Sequence, residues 1–174
     1  MHPSPHIAHL PEGFPRCHPL KVRTRILRIA VIMLVAGFSI SCAAQDKGYW
    51  RAASQAASSI TGDITIANSR LYINFLGFPL APIRTLTPEE AASAFDADIN
   101  QGLTGRLYRV NVPASRHFSH HNTLCGSEDT EWLATFVSGN TLQVAFFSGS
   151  AQPVFTFEAM SNSMNHCGTF TYDR

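Results

Sequence analysis

The side chains with the most chemical capacity sit late in the chain. His117-Phe118-Ser119-His120-His121 places three imidazoles within five positions, and His166 follows downstream beside Cys167. Imidazole nitrogens are zinc ligands and general bases, and three or four such groups fill a zinc shell. His117 with His120 or His121 would suit one face of a helix. The segment lies in a loop after Pro113, however, and no H-E-x-x-H or C-x-x-C accompanies it. Glu128, Asp129 and Glu131 are near in sequence, so they complete a shell only if folding gathers them. Solvated loop histidines are the simpler account. A metal-dependent enzyme using His117, His120, His121 and His166 is an alternative, and titration near neutrality adds pH sensing as a third reading.

Four cysteines are present, and Cys125 and Cys167 each precede a glycine. In an oxidising compartment two such cysteines are most simply a disulfide. A bond closing that loop would contribute about 4 kcal/mol through lost chain entropy. The rival is a reactive thiol with a histidine base. Adjacent residues of a strand point to opposite faces, so His166 is badly placed to serve Cys167. There is no G-x-S-x-G, phosphate loop, dinucleotide fingerprint or calcium loop. No catalytic residue is assigned, and no cofactor is expected.

The compartment is argued from the N-terminus. Lys21, Arg23, Arg25 and Arg28 precede an apolar run from Ile29 to Ile40, followed by Ser41-Cys42-Ala43-Ala44. That is the layout of a secretory signal over 22–44. Twelve helical residues span about 18 Å, short of a hydrocarbon core of roughly 30 Å, so no transmembrane span is expected in the mature form. Cys42 offers lipid attachment as an alternative, although Ser39 stands where a lipobox carries Leu or a similar residue. Residues 1–21, with prolines interleaved among His2, His6, His9 and His18, read as an over-extended start or a disordered prefix. The expected product is periplasmic or secreted, with a lipid-anchored form as the alternative.

The elements that would position these groups begin, on this reading, at residue 60, after a polar linker over 45–59. Ile60–Ile66 alternates apolar and polar, and Leu71, Ile73 and Phe75 share a face after a turn. Residues 78–86 are apolar but carry Pro79 and Pro82, predicting an edge strand or an extended crossing segment. Thr87-Pro88-Glu89-Glu90 has the chemistry of a helix start, with Thr87 as cap and Glu90 closing a capping box. Strands follow at 105–112, 131–137, 141–147, 153–157 and 169–172. The expected fold over 60–174 is mainly β, a small antiparallel barrel or sandwich of about eight strands with one short helix.

Charge narrows the partners. Eight basic against eleven acidic residues leave 45–174 at −3, a poor match to nucleic acid or an anionic membrane. The short motifs I-T-G-D-I-T-I at 60–66, L-Y-R-V at 107–110, T-L-C-G at 123–126 and C-G-T-F-T-Y at 167–172 resemble a group of small exported bacterial proteins of unassigned function. That resemblance implies export and paired cysteines, and it brings no catalytic residues. The preferred expectation is a non-enzymatic binding or inhibitor module acting on an unknown protein through its 113–130 loop. The alternative is a carrier for a small apolar ligand, which a hollow interior would favour and a filled one disfavour.

Overall fold

A computed structural model describes residues 46–98 and 105–174. The expected signal segment over 22–44, with Cys42, and the 1–21 prefix lie outside the described residues. Eight strands run in chain order: β1 (Gly48–Ala52), β2 (Ile64–Ile66), β3 (Arg70–Ile73), β4 (Leu76–Thr85), β5 (Gly105–Val112), β6 (Thr130–Ser138), β7 (Thr141–Ser148) and β8 (His166–Asp173). Each pairs antiparallel with the next, and β1 pairs with β8, so the sheet closes into an up-and-down barrel. Helix α1 (Pro88–Phe95) lies between β4 and β5, and α2 (Phe157–Ser161) between β7 and β8. Among the described residues no helix is long and apolar enough to cross a membrane.

Alternation decides what each strand contributes. Ile64 and Ile66, Leu71 and Ile73, Phe78 and Leu80, and Val144 and Phe146 turn inward. Trp50, Phe146, Phe170 and Tyr172 occupy the centre with essentially no surface that water could touch. Small barrels of eight strands are just wide enough for such side chains to fill. Outward residues of β5–β7 are buried too: Leu107, Trp132, Phe136 and Phe147 lie beneath α1, Phe155 and Met160. Burial on both faces explains why β6 and β7 read as nearly unbroken apolar runs.

Helix α1 starts as its sequence predicts. Thr87 Oγ1 accepts from the Glu90 N–H at 3.3 Å, and Glu90 Oε2 accepts from the Thr87 N–H at 2.9 Å. Glu90 also takes a bidentate pair from Arg84, at 2.6 and 2.8 Å. Strand β4 resolves its prolines by dividing its pairing: residues 76–79 pair with β3 and 80–85 with β5, with a bulge between Pro82 and Arg84. A missing N–H therefore costs no continuous ladder. The crossing-segment expectation describes it well, while a closed sheet leaves no edge.

Several expectations are corrected. Residues 45–59 are not a linker, because β1 lies within them and holds Trp50 in the core. Ile60 and Thr61 belong to a π-helical turn over Ala57–Thr61 that ends on Gly62, so β2 is shorter than expected. Phe75 does not share a face with Leu71 and Ile73; the chain reverses at Asn74 and Phe75, with φ of 48° and 65°. Residues 153–157 form no strand. Thr156 instead caps α2, its Oγ1 accepting from the Ala159 N–H at 3.2 Å. The described residues accordingly hold two short α-helices where one was expected.

Candidate functional site

Sequential antiparallel strands send alternate connections to the same end. The β1–β2, β3–β4, β5–β6 and β7–β8 connections therefore gather at one end of the barrel. The β5–β6 connection, residues 113–129, lies there as a lid. Phe118 is buried against Phe78, their rings edge-to-face at 6.0 Å, and Leu124 is buried beside them. Asn122 Nδ2 donates to the Ser59 carbonyl at 3.2 Å, joining the lid to the π-helical turn. The Ala114 N–H donates to Asp129 Oδ1 at 2.8 Å. A disulfide joins Cys125 to Cys167 across a Cα–Cα distance of 4.9 Å, and Thr130 Oγ1 donates to Cys125 Sγ at 3.1 Å.

The lid presents His117, His120 and His121 to solvent. His117 Nδ1 is 3.0 Å from the His121 carbonyl oxygen, and the two rings are 6.3 Å apart. His120 and His121 both hold left-handed backbone, at φ of 55° and 61°. His166 occupies a different setting. Its ring lies 5.1 Å from that of Phe147, tilted by 33°, with Nε2 3.1 Å from Thr169 Oγ1. Burial there lowers its pKa below the ordinary imidazole value, against a smaller opposing contribution from the Gly168 backbone. Among the described residues no three His, Cys, Asp or Glu side chains gather into a group able to hold a metal.

On the outer face of β1–β3, beside the same end, lies a groove of about 500 Å³ lined by Tyr49, Asp63, Thr65, Tyr72, Asn74 and Phe75, with Thr61 and Gly62. Tyr49, Thr65 and Tyr72 are register partners across three strands. The Tyr49 hydroxyl donates to Asp63 Oδ2, and the Ala52 N–H donates to Asp63 Oδ1 at 2.9 Å. The bond from Tyr49, followed by that from Ala52, holds the Asp63 carboxyl below its usual range. Tyr72 lies against Gly77 of β4, where an added Cβ would come within 3.0 Å of its Cε1. Phe75 is 99% exposed at the tip of the turn. Thr61, Gly62, Asp63 and Thr65 fall within the I-T-G-D-I-T-I run, but that run assigns them no partner; the further signal is a tyrosine on the polar side of each flanking strand. A second groove, beside Arg109, is chemically committed, since Arg109 ion-pairs with Glu131 and lies 4.4 Å over Trp132.

The opposite end is closed by a buried acid. Tyr108 donates to Asp46 Oδ2 at 2.6 Å and Thr135 at 2.8 Å, while Trp50 Nε1 donates to the Asp46 carbonyl at 2.8 Å. Among the described residues Asp46 Oδ1 has no hydrogen-bond partner. Burial, then the bond to Asp46, raises the Tyr108 pKa well above that of a free phenol. The cluster is enclosed, so it fastens the first strand and the barrel floor together.

Fold and site define a closed, filled β-barrel with a disulfide-tethered lid and an aromatic groove at its rim. Comparison with protein-family models, curated proteins and solved structures found no match to this chain.

Proposed function

We propose that the protein is an exported, non-enzymatic binding or inhibitor module that engages a protein partner through the lid over 113–129. The observation that carries this reading is the pair His120–His121. Two consecutive exposed non-glycine residues hold left-handed backbone, a conformation that costs on the order of 1–3 kcal/mol per residue and persists only where its surroundings enforce it. Here the buried Phe118, the Asn122–Ser59 bond and the disulfide provide that enforcement. A loop so fixed presents its side chains with little ordering entropy left to lose on binding. Export rests on the basic and apolar N-terminal segments, on the short motifs resembling exported proteins, and on the cysteine pairing, with lipid attachment at Cys42 as an alternative anchor. The filled interior supports this reading over that of an apolar-ligand carrier, because a lumen would leave Trp50, Phe146 and Phe170 in contact with solvent-sized space.

Site-directed photocrosslinking tests the proposal. A benzophenone amino acid replacing His120 captures a discrete partner in cells, whereas the same group replacing Asn140, at the opposite end, does not. Capture only from Asn140, or equal capture from both positions, refutes the assignment to the lid.

A further inference from the structure

The groove on β1–β3 has no part in that proposal, and its chemistry differs from the lid's. We infer that it is a second binding site, for a neutral carbohydrate: a pyranose ring or short oligosaccharide stacked on Tyr72 and bounded by Tyr49 and Phe75. A pyranose has apolar C–H faces and a hydroxyl edge, so it needs aromatic surface beside polar groups that both accept and donate. The groove supplies each. Tyr49 is 57% exposed and Tyr72 38%, although both could have been polar on an outward sheet face. Tyr72 has a settled position because Gly77 leaves room for it. Asp63 presents acceptors, and Asn74 carries an amide that donates and accepts.

Two observations separate a ligand site from an ordinary hairpin surface. Phe75 holds φ of 65° while almost wholly exposed, so it contributes strain and almost no burial to the fold. The Asp63 carboxylate is already oriented by Tyr49 and the Ala52 N–H, leaving no reorganisation for a ligand to drive. The polar groups select the ligand class. Arg51 lies close enough to favour ionised Asp63, and Arg70 donates to the Gly77 carbonyl beside Tyr72. A carboxylate whose oxygens act as hydrogen-bond acceptors fits a hydroxyl-bearing neutral ring better than a quaternary ammonium, which has no N–H or O–H to donate. The volume of about 500 Å³ exceeds a single ring and accommodates two linked ones.

Saturation-transfer NMR on the full-length protein tests this with a panel of neutral mono- to tetrasaccharide pyranosides, tetramethylammonium chloride and indole. The expected result is transfer to sugar C–H protons for at least one pyranoside, weakened at least about tenfold, or roughly 1.4 kcal/mol, by Tyr72→Ala and by Phe75→Gly. Melting temperature is read alongside, and Phe75→Gly serves if Tyr72→Ala disturbs the sheet. Binding of no pyranoside, preference for tetramethylammonium or indole over all of them, or undiminished transfer in both variants overturns the assignment. Crosslinking from His120 is independent of these residues, so the groove and the lid fail separately.

Discussion

Removing the Cys125–Cys167 bond should cost stability in an amount that the structure allows to be worked out. The bridged residues are 42 positions apart, and closing such a loop lowers the entropy of the unfolded chain by about 4 kcal/mol at 25 °C. The comparison is best made with the Cys125→Ser, Cys167→Ser pair, which leaves no reactive thiol and keeps an acceptor for the Thr130 hydroxyl. With Cys125→Ala and Cys167→Ala the buried Thr130 hydroxyl is stranded, adding about 1 kcal/mol. For a domain of this size the unfolding entropy near the midpoint is roughly 0.27 kcal/mol/K, so 4 kcal/mol lowers Tm by about 15 °C. Urea unfolding gives the free-energy change, and hydrogen exchange shows where protection is lost. Exchange should accelerate over 113–129 before the β6–β7 hairpin, because Phe118 and Leu124 would then hold the lid unaided. A loss below about 1 kcal/mol in the serine pair would refute the chain-entropy account.

Asp46→Ala should destabilise by about 2–4 kcal/mol, since it strands two buried hydroxyls, and Tyr108→Phe in the same background should cost less than in the wild type. A double-mutant cycle by urea melts reads that coupling, and strict additivity would mean that the hydroxyl and carboxylate do not interact. His166 has a folded-state pKa below its unfolded value near 6.5, so the unfolded chain takes up the proton first. Its contribution is full above that pH and is lost as pH falls through the folded value. His166→Gln should therefore flatten the stability profile between about pH 7 and 5, and a slope unchanged from wild type would assign it to other groups. Phe75→Gly removes left-handed strain, φ 65°, from a nearly fully exposed residue. It should stabilise the fold by about 0.5–1 kcal/mol by thermal melts, and destabilisation would show that Phe75 packs usefully.

The parts of the fold that could be read in the chain are those whose determinants are local. Thr87-Pro88-Glu89-Glu90 specifies α1 because both capping bonds lie within four residues, and Gly139-Asn140, a two-residue turn between the paired Ser138 and Thr141, specifies the β6–β7 hairpin by proximity. Closure of the barrel has no such signature. It depends on Arg51 meeting Asp173 and Ala52 meeting Tyr172, partners from opposite ends of the domain. β1 also places only Trp50 fully in the core over five residues, too few points to display a period of two. Pro153–Phe157 misled for the opposite reason. Its apolar residues imitate a strand, yet Phe155 is buried on the outer face while Val154 and Phe157 stay exposed, and Thr156 diverts the chain into α2.

The same distinction governs the site. The lid residues drew attention through their types, since three close histidines and a Cys-Gly are unusual at any distance. Their placement has no local signature, because the lid is anchored through Phe118, Asn122 and Cys125 to Phe78, Ser59 and Cys167, all remote in sequence. The groove was hidden more deeply. The sequence pattern puts Tyr49 in a linker and Phe75 on a core face, because it shows neither β1 nor the reversal at Asn74 and Phe75. Once those elements are placed, Tyr49, Thr65 and Tyr72 fall into one row across three strands. The I-T-G-D-I-T-I run carries Asp63 and Thr65 but not Tyr49 or Tyr72, so the chemistry they share becomes readable only when the strand register is known.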